Sequence, residues 1–173
     1  WSAALCGNLE LAKWLQSGEQ PFEMNERVMG AAARGGNVEL VQWLRGEGCP
    51  WDDLTCYWAV RRGHVEVLQW AHANGCPWSA ETGGGRDGPC AAAARVGDLQ
   101  VLQWLRANGC PWDQHTCASA IRYGLTDDHL EVLCWARENG CEWTRYDEED
   151  AEERFGYTDD FGNLVDYLGN PVQ

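Results

Sequence analysis

Nine cysteines and four histidines are the residues of this 173-residue chain with the widest chemical scope. Four of the cysteines recur at regular intervals, each preceded by glycine, at Cys49, Cys76, Cys110 and Cys141. Zinc sites favour pairs of cysteines separated by about two to four residues, and no Cys-x-x-Cys pair occurs. An odd number of cysteines also excludes a fully paired intramolecular disulfide framework. We therefore expect reduced, buried thiols, no metal and no cofactor, in an intracellular compartment, either the cytoplasm or an organelle.

No arrangement typical of catalysis is visible. The histidines at 64, 72, 115 and 129 are scattered and belong to no Ser/His/Asp, Cys/His or His-Glu-x-x-His pattern. The glycine-rich run 83–88 follows no predicted strand and precedes no Lys-Ser or Lys-Thr pair. It is interpreted as a flexible insertion rather than a phosphate loop. We expect that the protein is not an enzyme.

The tryptophans indicate that the chain is built of repeats. A first column, Gly-Cys-Pro-Trp or Gly-Cys-Glu-Trp, ends at Trp51, Trp78, Trp112 and Trp143. A second column lies at Trp14, Trp43, Trp70, Trp104 and Trp135, with intervals of 29, 27, 34 and 31 residues. The two longest intervals contain the run 83–88 and the segment 125–128, so the insertions fall between repeats. Such self-similarity is typical of repeat architectures.

Each repeat is predicted to contain two short helices. The first is rich in alanine, and Thr55 or Thr116 suits its N-cap. The second, at 65–71, places Val67 and Trp70 on one apolar face. Because so small a repeat cannot bury its own apolar face, neighbouring repeats must stack. The predicted fold class is all-α, a helix-turn-helix solenoid.

Two expectations for the tryptophans follow from this arrangement. The second-helix column should be buried, since each member occupies the same place in an amphipathic pattern. The link column should stack as a ladder, with the link cysteines filling the space between repeats.

The segment 59–70, Ala-Val-Arg-Arg-Gly-His-Val-Glu-Val-Leu-Gln-Trp, resembles the Ala-Ala-x-x-Gly-His-x-Glu-Val-Val centre of an ankyrin repeat. The segments 32–41, 93–99 and 129–133 match it as well. The resemblance covers residues 1–143, roughly five repeats of which the first begins partway through its first helix. It implies an ankyrin-like solenoid over 1–143 that acts as a non-catalytic protein-protein interaction scaffold. It also implies a structural role for His64 and His129, in the column where the family uses histidine to bond the turn backbone.

The repeats depart from the family pattern in length. An ankyrin repeat has about 33 residues, whereas the shortest interval here is 27. The missing residues are those of the protruding β-turn finger, so we expect short or absent fingers. The first-helix face then remains as the expected binding surface.

An alternative interpretation gives the cysteines a chemical role. Cys49 and Cys56 are seven residues apart, as are Cys110 and Cys117, so a zinc site or a redox pair is conceivable. Against it, successive repeats lie about 10 Å apart, the usual spacing of packed helices. That distance is too long for one disulfide or one metal ion.

An arginine column near the end of the first helices is the candidate binding surface, at Arg34, Arg61, Arg95 and Arg122. These cations either complement the helix C-terminal dipoles and face water, or receive an acidic segment of a partner or of the chain's own tail. Trp58 is bulky where other repeats have alanine or serine, which is typical of a contact residue. The predicted partner-binding residues are Trp58, Arg61, Arg62, Arg95, Arg122 and Tyr123.

Composition narrows the class of partner. With 13 Lys and Arg against 27 Asp and Glu, the net charge is −14, which disfavours nucleic acid and anionic membrane surfaces. No apolar run of about 18 residues occurs, so we expect no membrane insertion. The expected partner is another protein, alone or in a large complex. Because the chain opens at Trp1 rather than methionine, we expect a fragment, and the absence of a signal peptide decides nothing.

The C-terminal segment 144–173 is an acidic, turn-rich extension outside the repeats. It carries nine acidic and two basic residues, half of the net charge. If this extension anchors the chain, the alternative function is a structural or linker subunit of a larger multiprotein assembly.

Overall fold

The computed structural model describes residues 8–78, 88–124 and 126–142, in which there are nine α-helices and no strand. The chain divides into a first unit, 1–82, and a second unit, 83–173. The first unit contains α1 (Leu9–Gln16), α2 (Glu26–Gly35), α3 (Val38–Gly46), α4 (Asp53–Arg61) and α5 (Val65–Ala73). The second contains α6 (Pro89–Val96), α7 (Leu99–Ala107), α8 (Gln114–Tyr123) and α9 (Asp127–Glu138). The predicted all-α fold class is confirmed.

In the first unit, first helices pack on first helices and second helices on second helices. Helix α2 packs against α4, while α1, α3 and α5 lie side by side, and each pair α2–α3 and α4–α5 is also in contact. The fully buried side chains in this arrangement include Met29, Leu40, Leu44 and Leu68. Burying an aliphatic side chain of this size contributes roughly 1.5–3 kcal/mol, so stacking of repeats stabilises helices that are too short to be stable alone.

The second unit repeats this arrangement around a helix of small residues. Helix α6 contacts α7, α8 and α9, and the residues from Cys90 to Ala94 are all buried. Their small side chains allow the neighbouring first helix α8 to approach closely. Leu102 and Leu133 fill the core between the second helices α7 and α9.

Asparagine and aspartate side chains cap five of the nine described helices. Asn37 Oδ1 accepts a hydrogen bond from the Leu40 amide at 2.7 Å, and Asp113 Oδ1 accepts from the His115 amide at 2.9 Å. The prediction that Thr55 and Thr116 are N-caps is wrong, because α4 and α8 begin earlier, after Asp52 and Asp113. Both threonines lie buried in the first turn.

Two histidines connect neighbouring repeats. His64 Nε2 bonds the carbonyl oxygen of Arg34 at 3.1 Å. His129 Nε2 bonds the Arg95 carbonyl oxygen at 3.2 Å, and its Nδ1 bonds the Thr126 hydroxyl at 2.7 Å. Each imidazole thus joins the start of a second helix to the end of the first helix in the preceding repeat. The structural role predicted for both residues is confirmed.

The links between repeats are short and contain no finger where they are described. Residues 47–52 join α3 to α4, residues 108–113 join α7 to α8, and neither segment contains a strand. The buried link thiols Cys49 and Cys76 contact the carbonyl oxygens of Asn25 and Asp52, each at 3.4 Å. The link cysteine therefore fixes the end of a repeat to the start of its own first helix.

The second-helix tryptophans lie at the edge of the core. Trp43, Trp70, Trp104 and Trp135 are half-buried, and Trp14 is 69% exposed. The prediction of a buried column is therefore wrong for Trp14 and too strong for the others. Aliphatic neighbours such as Leu68 and Leu102 fill the core instead, and the indoles border the apolar stripe.

Two of the three described link tryptophans pair with second-helix tryptophans, and the third, Trp78, stacks on His72 with ring centroids 3.9 Å apart. Trp51 packs edge-on against Trp70, with ring centroids 5.9 Å apart, and Trp112 packs in the same way against Trp135 at 5.7 Å. These pairs replace the predicted ladder at Trp51 and Trp112, while Trp143 lies outside the described residues. Each pair joins a link to the second helix of the following repeat.

A second column of basic residues, Arg45 and Arg106, contacts the link tryptophans Trp51 and Trp112. The guanidinium of Arg45 lies 4.3 Å from the Trp51 ring centroid, and that of Arg106 lies 4.2 Å from the Trp112 centroid. Arg106 Nη1 also donates to the Cys110 carbonyl oxygen at 2.8 Å. The column was not identified from the sequence, although its six-residue interval to each link tryptophan is visible there.

Candidate functional site

The first-helix surface of the first unit carries arginines grouped around an indole. The guanidinium carbon of Arg34 lies 5.1 Å from the Trp58 ring centroid, and that of Arg61 lies 5.4 Å from it. Arg61 Nη1 donates to Tyr57 Oη at 2.9 Å, and the Tyr57 ring packs edge-on against Trp58 at 5.2 Å. We call Arg34, Tyr57, Trp58 and Arg61 the Trp58 cluster.

The stacking of α2 on α4 creates this cluster. Arg34 is in the last turn of α2 and Arg61 in the last turn of α4, so the two side chains reach Trp58 from neighbouring repeats. The position on α2 equivalent to Trp58 is Ala31, and Gly30 faces the indole. These small residues leave room for the large ring between the two helices.

The two guanidiniums make no ion pair with the part of the chain that the structure describes. Neither Arg34 nor Arg61 has a carboxylate within 4.0 Å among the residues that the structure describes. A guanidinium that contacts an aromatic face still presents its N–H edge for bidentate hydrogen bonds to a carboxylate. The Trp58 cluster can therefore bind an anionic group without first breaking an ion pair to a described residue.

A groove of ≈260 Å³ adjoins the cluster. Its lining residues are Glu26, Arg27, Gly30, Ala31, Arg34, Asp52, Leu54 and Trp58. Asp52 Oδ1 is buried and has no hydrogen-bond partner among the described atoms. Burial raises the pKa of Asp52 above its ordinary value, and the charges of Asp53 and Glu26 raise it further. The groove is thus bordered by a half-buried carboxylate with a raised pKa, and the backbone amides of Leu54 and Thr55 offset the rise only in part.

The first-helix surface of the second unit carries a smaller group. The guanidinium of Arg95 lies 4.1 Å from the Tyr123 ring centroid. Tyr123 is 48% exposed and Arg95 is half-buried. We call these two residues the Tyr123 pair.

The predicted binding residues fall partly into these two groups. Trp58 and Arg61 belong to the Trp58 cluster, and Arg95 and Tyr123 form the Tyr123 pair. The side chains of Arg62 and Arg122 are exposed on the same helices or their ends. The prediction omitted Arg34 and the groove residues Asp52 and Leu54. Arg34 could have been identified from its place in the arginine column. The burial of Asp52 Oδ1 could not, because it depends on the path of the link.

The acidic extension 144–173 lies outside the described residues. Its role as an anchor, and with it a function as a structural or linker subunit, stays a prediction. The division into repeats at 1–143 and an extension at 144–173 stays a prediction for the same reason.

The thiols have the environment of packing residues. None of the eight described cysteines forms a disulfide bond, and seven of them are buried. Burial, helped by the charge of Glu26, raises the pKa of Cys49 to about 11. A hydrogen bond with Cys110, together with burial, raises the pKa of Cys90, whereas a hydrogen bond with Cys117 lowers the pKa of Cys141. These cysteines meet within one repeat, so the spacing of about 10 Å between successive repeats does not separate them.

The described residues form neither a metal site nor a membrane-spanning helix. Within 8–78, 88–124 and 126–142, no group of three or more His, Cys, Asp or Glu residues is placed to hold a metal ion. In those ranges, every helix is too short or too polar to span a bilayer.

Comparison with known proteins gives a structural likeness alone. No family model and no curated protein sequence matches the chain. Among solved structures, the chain is similar to the crystal structure of an ankyrin repeat domain from Acinetobacter baumannii AYE, with a TM-score of 0.64 and 15% sequence identity. The likeness covers 88% of this chain and 89% of that one. At this identity it concerns the fold and carries no information on the binding surface.

Proposed function

We propose that this chain, which has the fold of an ankyrin-repeat domain, is a non-catalytic protein-protein interaction scaffold whose first-helix surfaces bind an acidic segment of a partner protein. The observation that carries the proposal is the Trp58 cluster. In a chain with a net charge of −14, two guanidiniums are held against one indole without a carboxylate within 4.0 Å among the described residues. Arginine and tryptophan are the residue types most enriched at interface hot spots.

The helix dipole does not account for the whole cluster. Arg34 and Arg61 are in the last turns of their helices, where a cation is favoured. The dipole gives no reason, however, for a tryptophan at position 58 or for an exposed tyrosine beneath Arg95. Aromatic rings that orient a guanidinium reduce the conformational entropy that it loses on binding, which favours a role in recognition.

The proposed binding residues are Arg34 and the residues predicted from the sequence, namely Trp58, Arg61, Arg62, Arg95, Arg122 and Tyr123. Charge-assisted hydrogen bonds from guanidinium to carboxylate are about twice as strong as neutral ones. Because salt screens exposed charges, binding should weaken and association should slow as the ionic strength rises.

The test is selection of a random peptide library on phage against the full chain, with enrichment of acidic peptides as the expected result. Selected peptides are then measured on two double variants that change the net charge equally. Arg61→Gln with Arg122→Gln removes two cations from first helices, and Gln69→Glu with Gln103→Glu adds two anions at exposed positions of second helices.

The first variant should weaken binding about tenfold or more, equivalent to roughly 1.4 kcal/mol, and the second should have a much smaller effect. Circular dichroism verifies that both remain folded. Equal weakening by both variants would indicate a general charge effect and contradict the proposal.

A further inference from the structure

The groove between α2 and α4 has ends of opposite charge. Arg34 lines the groove where α2 finishes, and Glu26 and Asp52 line it where α2 and α4 begin. Residues 26 and 34 are separated along α2 by about 12 Å at roughly 1.5 Å per residue. Arg27, the second residue of α2, lines the same end as the two carboxylates, so that end carries two negative charges against one positive charge.

The acidic end contains the acceptor that lacks a donor. Asp52 Oδ1 is buried without a hydrogen-bond partner among the described atoms. Such an acceptor costs free energy as long as no donor reaches it. The rest of the Asp52 side chain is half-buried and borders the groove, so an ammonium or guanidinium group from a ligand placed against it would supply a compensating positive charge.

The middle of the groove is apolar and small. Gly30 and Ala31 form its α2 side, and Leu54, 41% exposed, and half-buried Trp58 form its α4 side. Its volume of ≈260 Å³ is below the roughly 300–1,000 Å³ of small-molecule pockets. The size suits one or two side chains of a polypeptide better than a cofactor.

We infer that this groove binds a partner segment of mixed charge, with an acidic side chain at the Trp58 cluster, an apolar side chain over Gly30 and Ala31, and a lysine or arginine at Asp52. The inference rests on the proposed function and narrows its partner from a uniformly acidic segment to one with a basic residue at a fixed spacing. An extended chain advances about 3.3–3.6 Å per residue. The acidic and basic residues therefore lie about three or four positions apart.

The experiment uses the peptides selected on the full chain. Those that lose binding to both Trp58→Ala and Arg34→Gln use the groove, and folding of both variants is verified by circular dichroism. Among these peptides, a lysine or arginine three or four positions from an aspartate or glutamate should be enriched over the unselected library.

A charge-neutral variant at Asp52 tests the basic position itself. Asp52→Asn should weaken binding of these peptides about tenfold, because asparagine has nearly the same size but carries no charge. Asp52 makes no capping side-chain hydrogen bond that the change could remove, and asparagine suits the N-cap position equally well. The matched control is Glu39→Gln, an exposed carboxylate on the second helix α3, which should leave binding unchanged. Peptides whose basic residue is replaced by glutamine should bind the wild type and Asp52→Asn equally.

Three results overturn the inference while leaving the proposed function intact. They are the absence, among Trp58-dependent peptides, of any that also depend on Arg34, the absence of basic residues at the stated spacing, and an equal effect of Asp52→Asn on peptides with and without the basic residue. Insensitivity of all peptides to Trp58→Ala, or to Arg61→Gln with Arg122→Gln, overturns the proposed function as well.

Discussion

Replacing Gly36 with alanine should destabilise the fold more than the same change at Gly63. Both glycines follow a first helix with positive φ, +78° and +73°, where an L-residue costs roughly 1–2 kcal/mol. A Cβ at Gly63 would have no atom within 4 Å, whereas a Cβ at Gly36 would overlap the ring of His64.

The difference between the two variants measures the contact between repeats. To accommodate the new Cβ at position 36, the imidazole of His64 must move and give up its 3.1 Å hydrogen bond to the Arg34 carbonyl oxygen. Such a bond contributes about 0.5–1.5 kcal/mol net. We therefore expect Gly63→Ala to cost about 1–2 kcal/mol and Gly36→Ala about 1.5–3.5 kcal/mol.

The assay is urea unfolding followed by far-ultraviolet circular dichroism, with each alanine also introduced into a His64→Ala background. The additional cost at Gly36 should disappear there, because the ring that Cβ displaces is gone. Equal costs at the two glycines, or an additional cost that persists without His64, would refute the contact as the cause.

Three further predictions concern the core, the links and the pH dependence. Leu68→Ala should cost about 2–5 kcal/mol and Trp70→Ala less, because Leu68 is fully buried and Trp70 is half-buried; the reverse order in urea unfolding would contradict the packing described. Arg106→Ala should cost about 1–2 kcal/mol through its hydrogen bond and its contact with the Trp112 ring, and an unchanged unfolding midpoint would exclude both contributions. Because the pKa of Asp52 is raised in the folded state, its charge opposes folding at neutral pH, so Asp52→Asn should raise the melting temperature there. This advantage should shrink as the pH falls towards 3.8, the ordinary pKa of the residue, and an advantage independent of pH would contradict the assignment.

The helices were predictable because the information for them is local. Val67 and Trp70 are three residues apart with polar residues nearby, and this spacing predicts an amphipathic helix. The run of alanines at 91–94 predicts a helix that packs closely. Neither prediction needs knowledge of the neighbouring helices. Because the pattern recurs in repeats too small to bury their own apolar faces, the repeats are expected to stack on one another. The degree of burial was less predictable, because a tryptophan at the edge of an apolar stripe has the same spacing as one at its centre.

The candidate site was predictable in composition but less so in its contacts. The arginine column follows from the repeat interval, so Arg61 and Arg95 could be identified. Arg34 lies over Trp58, a residue of the next repeat. This contact depends on the offset between α2 and α4, which the residue types do not specify. Whether a donor reaches Asp52 Oδ1 likewise depends on how the link approaches the start of α4.

The dissociation constant of a selected acidic peptide, measured by fluorescence anisotropy on Trp58→Ala and Trp14→Ala, tests the central claim most directly. Both variants remove one indole, but Trp58 lies on the first-helix surface and Trp14, 69% exposed, lies on the second helix α1. A hot-spot residue is worth about 2 kcal/mol or more, so Trp58→Ala should weaken binding roughly thirtyfold and Trp14→Ala should leave it unchanged. Unchanged binding by a folded Trp58→Ala variant, or equal loss in both, would contradict binding through the first-helix surface.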